Sequence, residues 1–134
     1  MFKVRFVTPT GLYEEDSDVT LLNINTPDGQ RGILSDHMPI VMMLVVSKLT
    51  VVRGKARTDY AISRGMVYFQ DNMATVLVDS VERKVAIDIP RAQRAKERAL
   101  KALEEPLEDW EVERMKYSLE RANNRLKIAG VDSI

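Results

Sequence analysis

The hydrophobic period of this 134-residue chain changes once along its length, and that change limits its possible folds more than any other feature. Up to about residue 84, apolar residues recur at every second position. Phe2, Val4 and Phe6 share one strand face, with Lys3 and Arg5 on the other. Val19, Leu21 and Leu22 lead into Ile24 and the turn-prone Thr26-Pro27-Asp28-Gly29. Residues 47–53 and 56–62 flank Gly54-Lys55, and residues 66–70 and 73–79 flank Asp71-Asn72, two hairpin patterns. From about residue 88 the spacing becomes helical. Ala92, Ala95, Ala99 and Ala102 recur three and four apart, as do Val112, Met115, Leu119, Ala122 and Leu126. The expectation is an α+β chain. About eight to ten short strands form an N-terminal antiparallel β-sandwich or flattened barrel over residues 1–86. A C-terminal antiparallel two-helix hairpin follows over residues 87–134.

The helix boundaries are written in the residues. Asp88 stands where an N-cap belongs, and Pro90 suits a first turn. Pro106 separates the helices, the second runs from about Glu108 to Ile128, and Gly130 is a stop. An alanine face lets two helices approach closely but buries little apolar area. At about 25 cal/mol per Å², such a seam gains far less than a Leu/Ile seam would, so the hairpin is expected to be able to open. Charge is also ordered. Arg91, Arg94, Lys96, Arg98 and Lys101 make the first helix basic, while the second begins with Glu108, Asp109, Glu111 and Glu113 and ends with Arg121, Arg125 and Lys127. The helix dipole accounts for that second gradient. It does not account for the basic groups that an antiparallel hairpin gathers at one end, which need an anion or a partner.

Composition removes several function classes. The chain has no cysteine, one histidine and a net charge of zero. Disulfides and thiolate metal sites are therefore excluded, and nothing pulls the chain toward nucleic acid. The longest apolar run, residues 40–46, is far short of the ~20 residues of a membrane span. Charges at Lys3 and Arg5 break up any signal-peptide core, so a cytoplasmic location is the expectation. Asp28-Gly29 lacks a following Gly-Lys-Ser/Thr and reads as a turn rather than a phosphate loop. Glu14, Glu15, Asp16 and Asp18 lack the calcium-loop glycine and spacing, and read as a solvated turn. A lone His37 without a companion ligand reads as packing or interface, not as a metal site or base. No catalytic or metal-binding constellation is expected.

One string carries family information. Gly29-Gln30-Arg31-Gly32-Ile33-Leu34-Ser35-Asp36-His37-Met38-Pro39 reads physically as an ordered loop that tucks Ile33 and Leu34 back onto a core. As a motif, Gly-x-x-Gly-Ile-Leu-x-x-His-x-Pro, it resembles the ε subunits of bacterial F-type ATP synthases. Val7-Thr8-Pro9 with Gly11-Leu12-Tyr13, and Ala61-Ile62-Ser63-Arg64-Gly65-Met66, are similar to family stretches too. Here Arg64 replaces the first glycine of the usual pair, and Ser35-Asp36 stands where Pro-Gly or Pro-Asn is commoner.

The resemblance implies a non-catalytic rotor subunit of a proton-translocating ATP synthase, peripheral on the cytoplasmic face of the bacterial membrane. Its sandwich would bind γ and the c-ring, with Ile33, Leu34, His37, Met42 and Met43 as interface candidates. Its hairpin would extend into the α/β catalytic head and suppress ATP hydrolysis. The stretch Ile87-Asp88-Ile89-Pro90-Arg91-Ala92 resembles the Ile/Leu-Asp-x-x-Arg-Ala sequence with which some ε subunits bind ATP. That implies a regulatory ATP site at Glu82, Ile87, Asp88, Arg91, Ala92, Arg121 and Arg125, with no cofactor required. Arg121 and Arg125, four apart, share a helix face, and guanidinium groups suit phosphate. The same residues read equally as a helix cap and solvated charges. A stand-alone ATP-sensing protein is the alternative function.

Overall fold

In a computed structural model, residues 1–131 are described, so the expected hairpin residues 132–134 lie outside the described part. Ten strands come first: β1 (Phe2–Thr8), β2 (Gly11–Val19), β3 (Leu21–Thr26), β4 (Gly29–Leu34), β5 (Ile40–Leu44), β6 (Ser47–Arg53), β7 (Ala56–Ile62), β8 (Gly65–Gln70), β9 (Met73–Val78) and β10 (Val81–Arg83). A 3₁₀ turn (Lys84–Ala86) precedes α1 (Ile89–Leu103) and α2 (Asp109–Ile128). The chain divides into two compact units, residues 1–83 and 84–134.

The first unit is a sandwich of two five-stranded sheets, ordered β2-β1-β9-β8-β5 and β10-β7-β6-β3-β4. Its core follows the alternation read from the sequence. Phe2, Val4 and Phe6 are buried from β1, and Val67 and Phe69 from β8, with Tyr68 and Gln70 between and after them exposed. Leu22, Ile24, Leu49, Val51 and Tyr60 fill the facing side from the second sheet. Burying such side chains contributes roughly 1.5–3 kcal/mol each. The turn at Asp71-Asn72 uses left-handed backbone at both residues, with φ of 53° and 56°, as a two-residue hairpin requires.

Two expectations need correction. The sheets are not wholly antiparallel, because β1 and β9 pair in parallel, from Lys3↔Met73 to Val7↔Leu77. These strands are far apart in sequence, so no tight turn imposes the antiparallel sense between them. The glycine-rich stretch is also not a loop up to residue 34. Residues 29–34 form an edge strand on β3, closed by a turn in which Thr26 Oγ1 donates to Gly29 O at 2.9 Å. An edge strand turns one row of peptide groups to water and tolerates polar side chains, so its alternation is faint. Ile33 is buried there, whereas Leu34 is 59% exposed.

In the second unit, α1 and α2 pack against each other and are joined by residues 104–108. So short a connection makes the pair antiparallel. Asp88 caps α1, accepting from the Arg91 backbone N at 3.1 Å, and a proline sits in the first turn. The α2 stop at Gly130 (φ 88°) is a Schellman closure: Val131 N donates to Leu126 O at 2.8 Å and Gly130 N to Lys127 O at 3.1 Å. The buried residues of α1 are both alanines, Ala92 and Ala99. On α2 burial is concentrated at the C-terminal end, in Ala122, Leu126 and Ile128.

Candidate functional site

The residues singled out for anion binding fall in both units. Within the hairpin, Ile87, Asp88, Arg91 and Ala92 stand at the start of α1, and Arg121 and Arg125 occupy successive turns near the end of α2. The antiparallel course puts these two sets at the same end of the hairpin. Ala92 is buried and holds the helix seam, while Arg91 is exposed. The Asp88 carboxylate is engaged as the α1 cap. Arg121 lies flat on its own helix, its guanidinium 4.5 Å from the Tyr117 ring centroid and its Nη2 donating to Ser118 Oγ at 3.2 Å. Its Nε is buried without a hydrogen-bond partner, an unmade donor of the kind that stays costly until something accepts from it. Glu82 belongs to the other unit, at the centre of β10 opposite Ala61.

The interface candidates separate by burial. Ile33 is fully buried in the sandwich core, so it cannot meet a partner from the folded state, which corrects that assignment. Met42 is half-buried against the same core. Leu34 and Met43 are exposed. His37 is half-buried at the crossing between the sheets. Its ring stands edge-on to Phe69 at 6.0 Å, and Nδ1 lies 2.7 Å from Met38 O. Along β5, Val41 and Met43 are 63% and 58% exposed, opposite Tyr68 and Met66 of β8. These make an apolar outer sheet face of the kind that marks an interaction surface. The sequence points to Met43 but not to Val41 or Tyr68, because a period-two pattern cannot say which face is inward.

A third group departs from its expected form. Glu14, Glu15, Asp16 and Asp18 do not form a solvated turn. They lie along β2, and Asp16 is only 6% exposed. Tyr60 of β7, fully buried, has its hydroxyl 2.9 Å from Asp16 Oδ2 and in hydrogen-bond contact with Glu14. Arg83 of β10 clasps Glu14 Oε1 with Nε at 2.8 Å and Nη2 at 2.7 Å. Arg53 of β6 is 3.9 Å from Asp16. Burial pushes the Asp16 carboxyl above its ordinary value, against the hydrogen bond from Tyr60. Burial, then hydrogen bonding to Glu14 and Asp16, holds the Tyr60 phenol far above its ordinary value, so it stays neutral. The hydrogen bond to Glu14 and its charge raise Arg83 further. A cluster joining strands of both sheets leaves no local trace in sequence, since its members come from residues 14, 16, 53, 60 and 83.

Among the described residues no group of three or more His, Cys, Asp or Glu could hold a metal ion, and no helix is long and apolar enough to cross a membrane.

Residues 1–84 match the family described as "ATP synthase, Delta/Epsilon chain, beta-sandwich domain", and residues 86–130 the family described as "ATP synthase, Delta/Epsilon chain, long alpha-helix domain". Curated relatives named "ATP synthase epsilon chain" span nearly the whole chain. The Lactobacillus helveticus protein is 39% identical, covering 96% of this chain and 92% of its own length. The Pediococcus pentosaceus protein is 34% identical, covering 94% and 93%. The Caldicellulosiruptor bescii protein is 38% identical, covering 96% and 93%. Two solved structures share the fold at low identity. A chain of the Euglena gracilis mitochondrial ATP synthase has a TM-score of 0.75 at 21% identity, covering 94% of this chain and 79% of that one. A chain of the Tetrahymena thermophila mitochondrial ATP synthase central stalk and c-ring has a TM-score of 0.66 at 12% identity, covering 96% of each.

Proposed function

We infer its role from one premise: the chain belongs to the ATP synthase epsilon-chain family. It is a non-catalytic subunit of the ATP synthase complex and stands in the central stalk. In that position, on the cytoplasmic face of the bacterial membrane, the sandwich docks on γ and the c-ring and helps couple proton flow to ATP synthesis. The exposed apolar surface of Leu34, Val41, Met43 and Tyr68 is what the sandwich offers for this docking. The membrane is met only through the complex.

The hairpin acts as a movable arm that restrains ATP hydrolysis. The observation that carries this reading is the composition of the α1 seam. Its buried residues, Ala92 and Ala99, remove little apolar surface from water, so the closed state is held weakly. Once open, the 15 residues of α1 and the 20 of α2 reach about 22 and 30 Å at 1.5 Å per residue. The exposed basic face of α1 would then meet acidic surface on the catalytic head. ATP, bound at the hairpin end by Arg91, Arg121 and Arg125, would favour the closed state by RT ln(1 + [ATP]/Kd). The partnerless Arg121 Nε supports a ligand there. The engagement of Asp88 as a cap leaves the arginines as the stronger part of that site.

The test is hydrolysis by the assembled synthase carrying either the full chain or a chain ending near residue 86. A rise on truncation is expected. Unchanged hydrolysis with assembly intact would remove the inhibitory role. Calorimetric titration of the full chain with ATP should show heat that Arg91→Ala and Arg125→Ala each abolish. Absence of heat in the unaltered chain would remove the ATP site and leave the arm.

A further inference from the structure

A hydroxyl has one proton to donate, yet the Tyr60 hydroxyl sits within hydrogen-bond distance of two carboxyl groups, Asp16 at 2.9 Å and Glu14. If both carboxyls were ionised, one of the two carboxylate oxygens beside the hydroxyl would meet its lone pairs instead of its proton, in a place where Tyr60 is fully buried and Asp16 nearly so. Burying an unmade acceptor of that kind is costly. A second proton in the cluster removes the conflict. We propose that Asp16 keeps its proton in the folded chain above the pH at which an ordinary carboxyl releases it and donates to the Tyr60 oxygen, so that Tyr60 donates on to the Glu14 carboxyl held by Arg83, a proton lock between the two sheets.

The surrounding charges decide which carboxyl holds the proton. Arg83 places two nitrogens on one Glu14 oxygen, at 2.8 and 2.7 Å, so a cation sits directly on that carboxyl. The cation facing Asp16 is Arg53 of β6, at 3.9 Å and 41% exposed on its side chain, so water shares its charge. From β1, the neighbours across the pairing are apolar: Val4 stands opposite Asp16 and Phe6 opposite Glu14, and the Phe6 ring lies 4.5 Å from that of Tyr60. Arg5, between them, pairs instead with Glu15 at 3.1 Å. The direction in which burial moves Asp16 agrees with this assignment.

The lock has a consequence for β2, which is an edge strand of its sheet, bonded to β1 alone. Asp16 and Glu14 tie it through Tyr60 and Arg83 to β7 and β10 of the other sheet. In the window between the ordinary carboxylate value and the higher value of Asp16, the folded state binds a proton that the unfolded chain has released. Stability therefore falls as pH rises through that window, by up to about tenfold in the folding constant per pH unit.

Carbon-13 titration of the side-chain carboxyls in the full chain tests the proposal. Asp16 Cγ should keep the shift of a carboxylic acid at pH values where an ordinary aspartate has already ionised. Asp16 titrating at or below the ordinary carboxylate value would overturn it. Thermal unfolding of Asp16→Asn, whose amide is neutral at every pH, should lose the fall in stability that the unaltered chain shows as pH rises above the ordinary carboxylate value. An unchanged pH dependence in that variant would overturn it as well. Should Asp16→Asn fail to fold, the titration of the unaltered chain decides alone.

Discussion

At the scale of single residues, the positions that matter most are those where no alternative side chain fits. Gly65 opens β8 against the end of β9, and a Cβ there would meet Leu77 O at 2.0 Å and the Val78 Cα at 2.9 Å. Both are backbone atoms, so nothing can swing aside. Gly65→Ala should cost about 3 kcal/mol, at the upper end of overpacking, read as a lowered denaturation midpoint of the full chain with an unchanged slope. A loss of a few tenths of a kcal/mol would mean that the two strands separate at that corner without penalty. Asn72 holds another corner. Its left-handed backbone makes the β8–β9 turn, and its side chain donates to Met1 O at 2.8 Å and accepts from Asp36 N at 2.9 Å. The turn was legible from Asp71-Asn72. These two ties were not, because they join residues far apart in the chain.

Among the elements, the hairpin helices are explained by their own sequences more fully than the strands are. The Asp88 cap, the first-turn proline, the Gly130 closure and the charge gradient of α2 all act within a few residues, so local reading reaches them. The strands depend on partners. The edge strand β4 has a weak alternation and was expected to be loop, and the acidic tract of β2 was expected to be a solvated turn. In both, pairing with a neighbour overrode the local signal. The alanine seam of α1 has its own expected outcome. Ala99 is 2% exposed, and Ala99→Leu adds volume where none is free. The cost should be about 1–3 kcal/mol, taken by the hairpin. Amide exchange should accelerate through α1 and α2 while β8 and β9 keep their protection. Equal acceleration in both units would show that the hairpin and the sandwich open together.

For the whole molecule, the division into residues 1–83 and 84–134 gives each unit its own source of stability. The sandwich has a continuous core running from Phe2 to Val81. The hairpin buries chiefly alanines on one helix and a few larger residues at one end of the other. A chain ending near residue 86 should therefore fold cooperatively, with strand-type circular dichroism and a midpoint close to that of the sandwich in the full chain. Failure of that fragment to fold would show that the hairpin contributes to the core, and would recast any effect of truncation on hydrolysis as a defect of assembly. This asymmetry suits the proposed role, which asks for a stable body for attachment and an arm whose state small free energies would set.

The sequence by itself determined the two-part architecture, the hairpin turns, the helix limits and the family, because those depend on periodicity, on glycine and proline stereochemistry and on a motif contiguous in the chain. The tertiary structure alone decided that β1 and β9 run parallel and that the outer face of β5 and β8 is apolar. It also decided that Ile33 is core, and that Glu14, Asp16, Tyr60 and Arg83 converge. Each of those depends on which distant strands become neighbours. A local pattern can state that a strand has two faces, but only the packing of the second sheet settles which face is buried and which charges it meets.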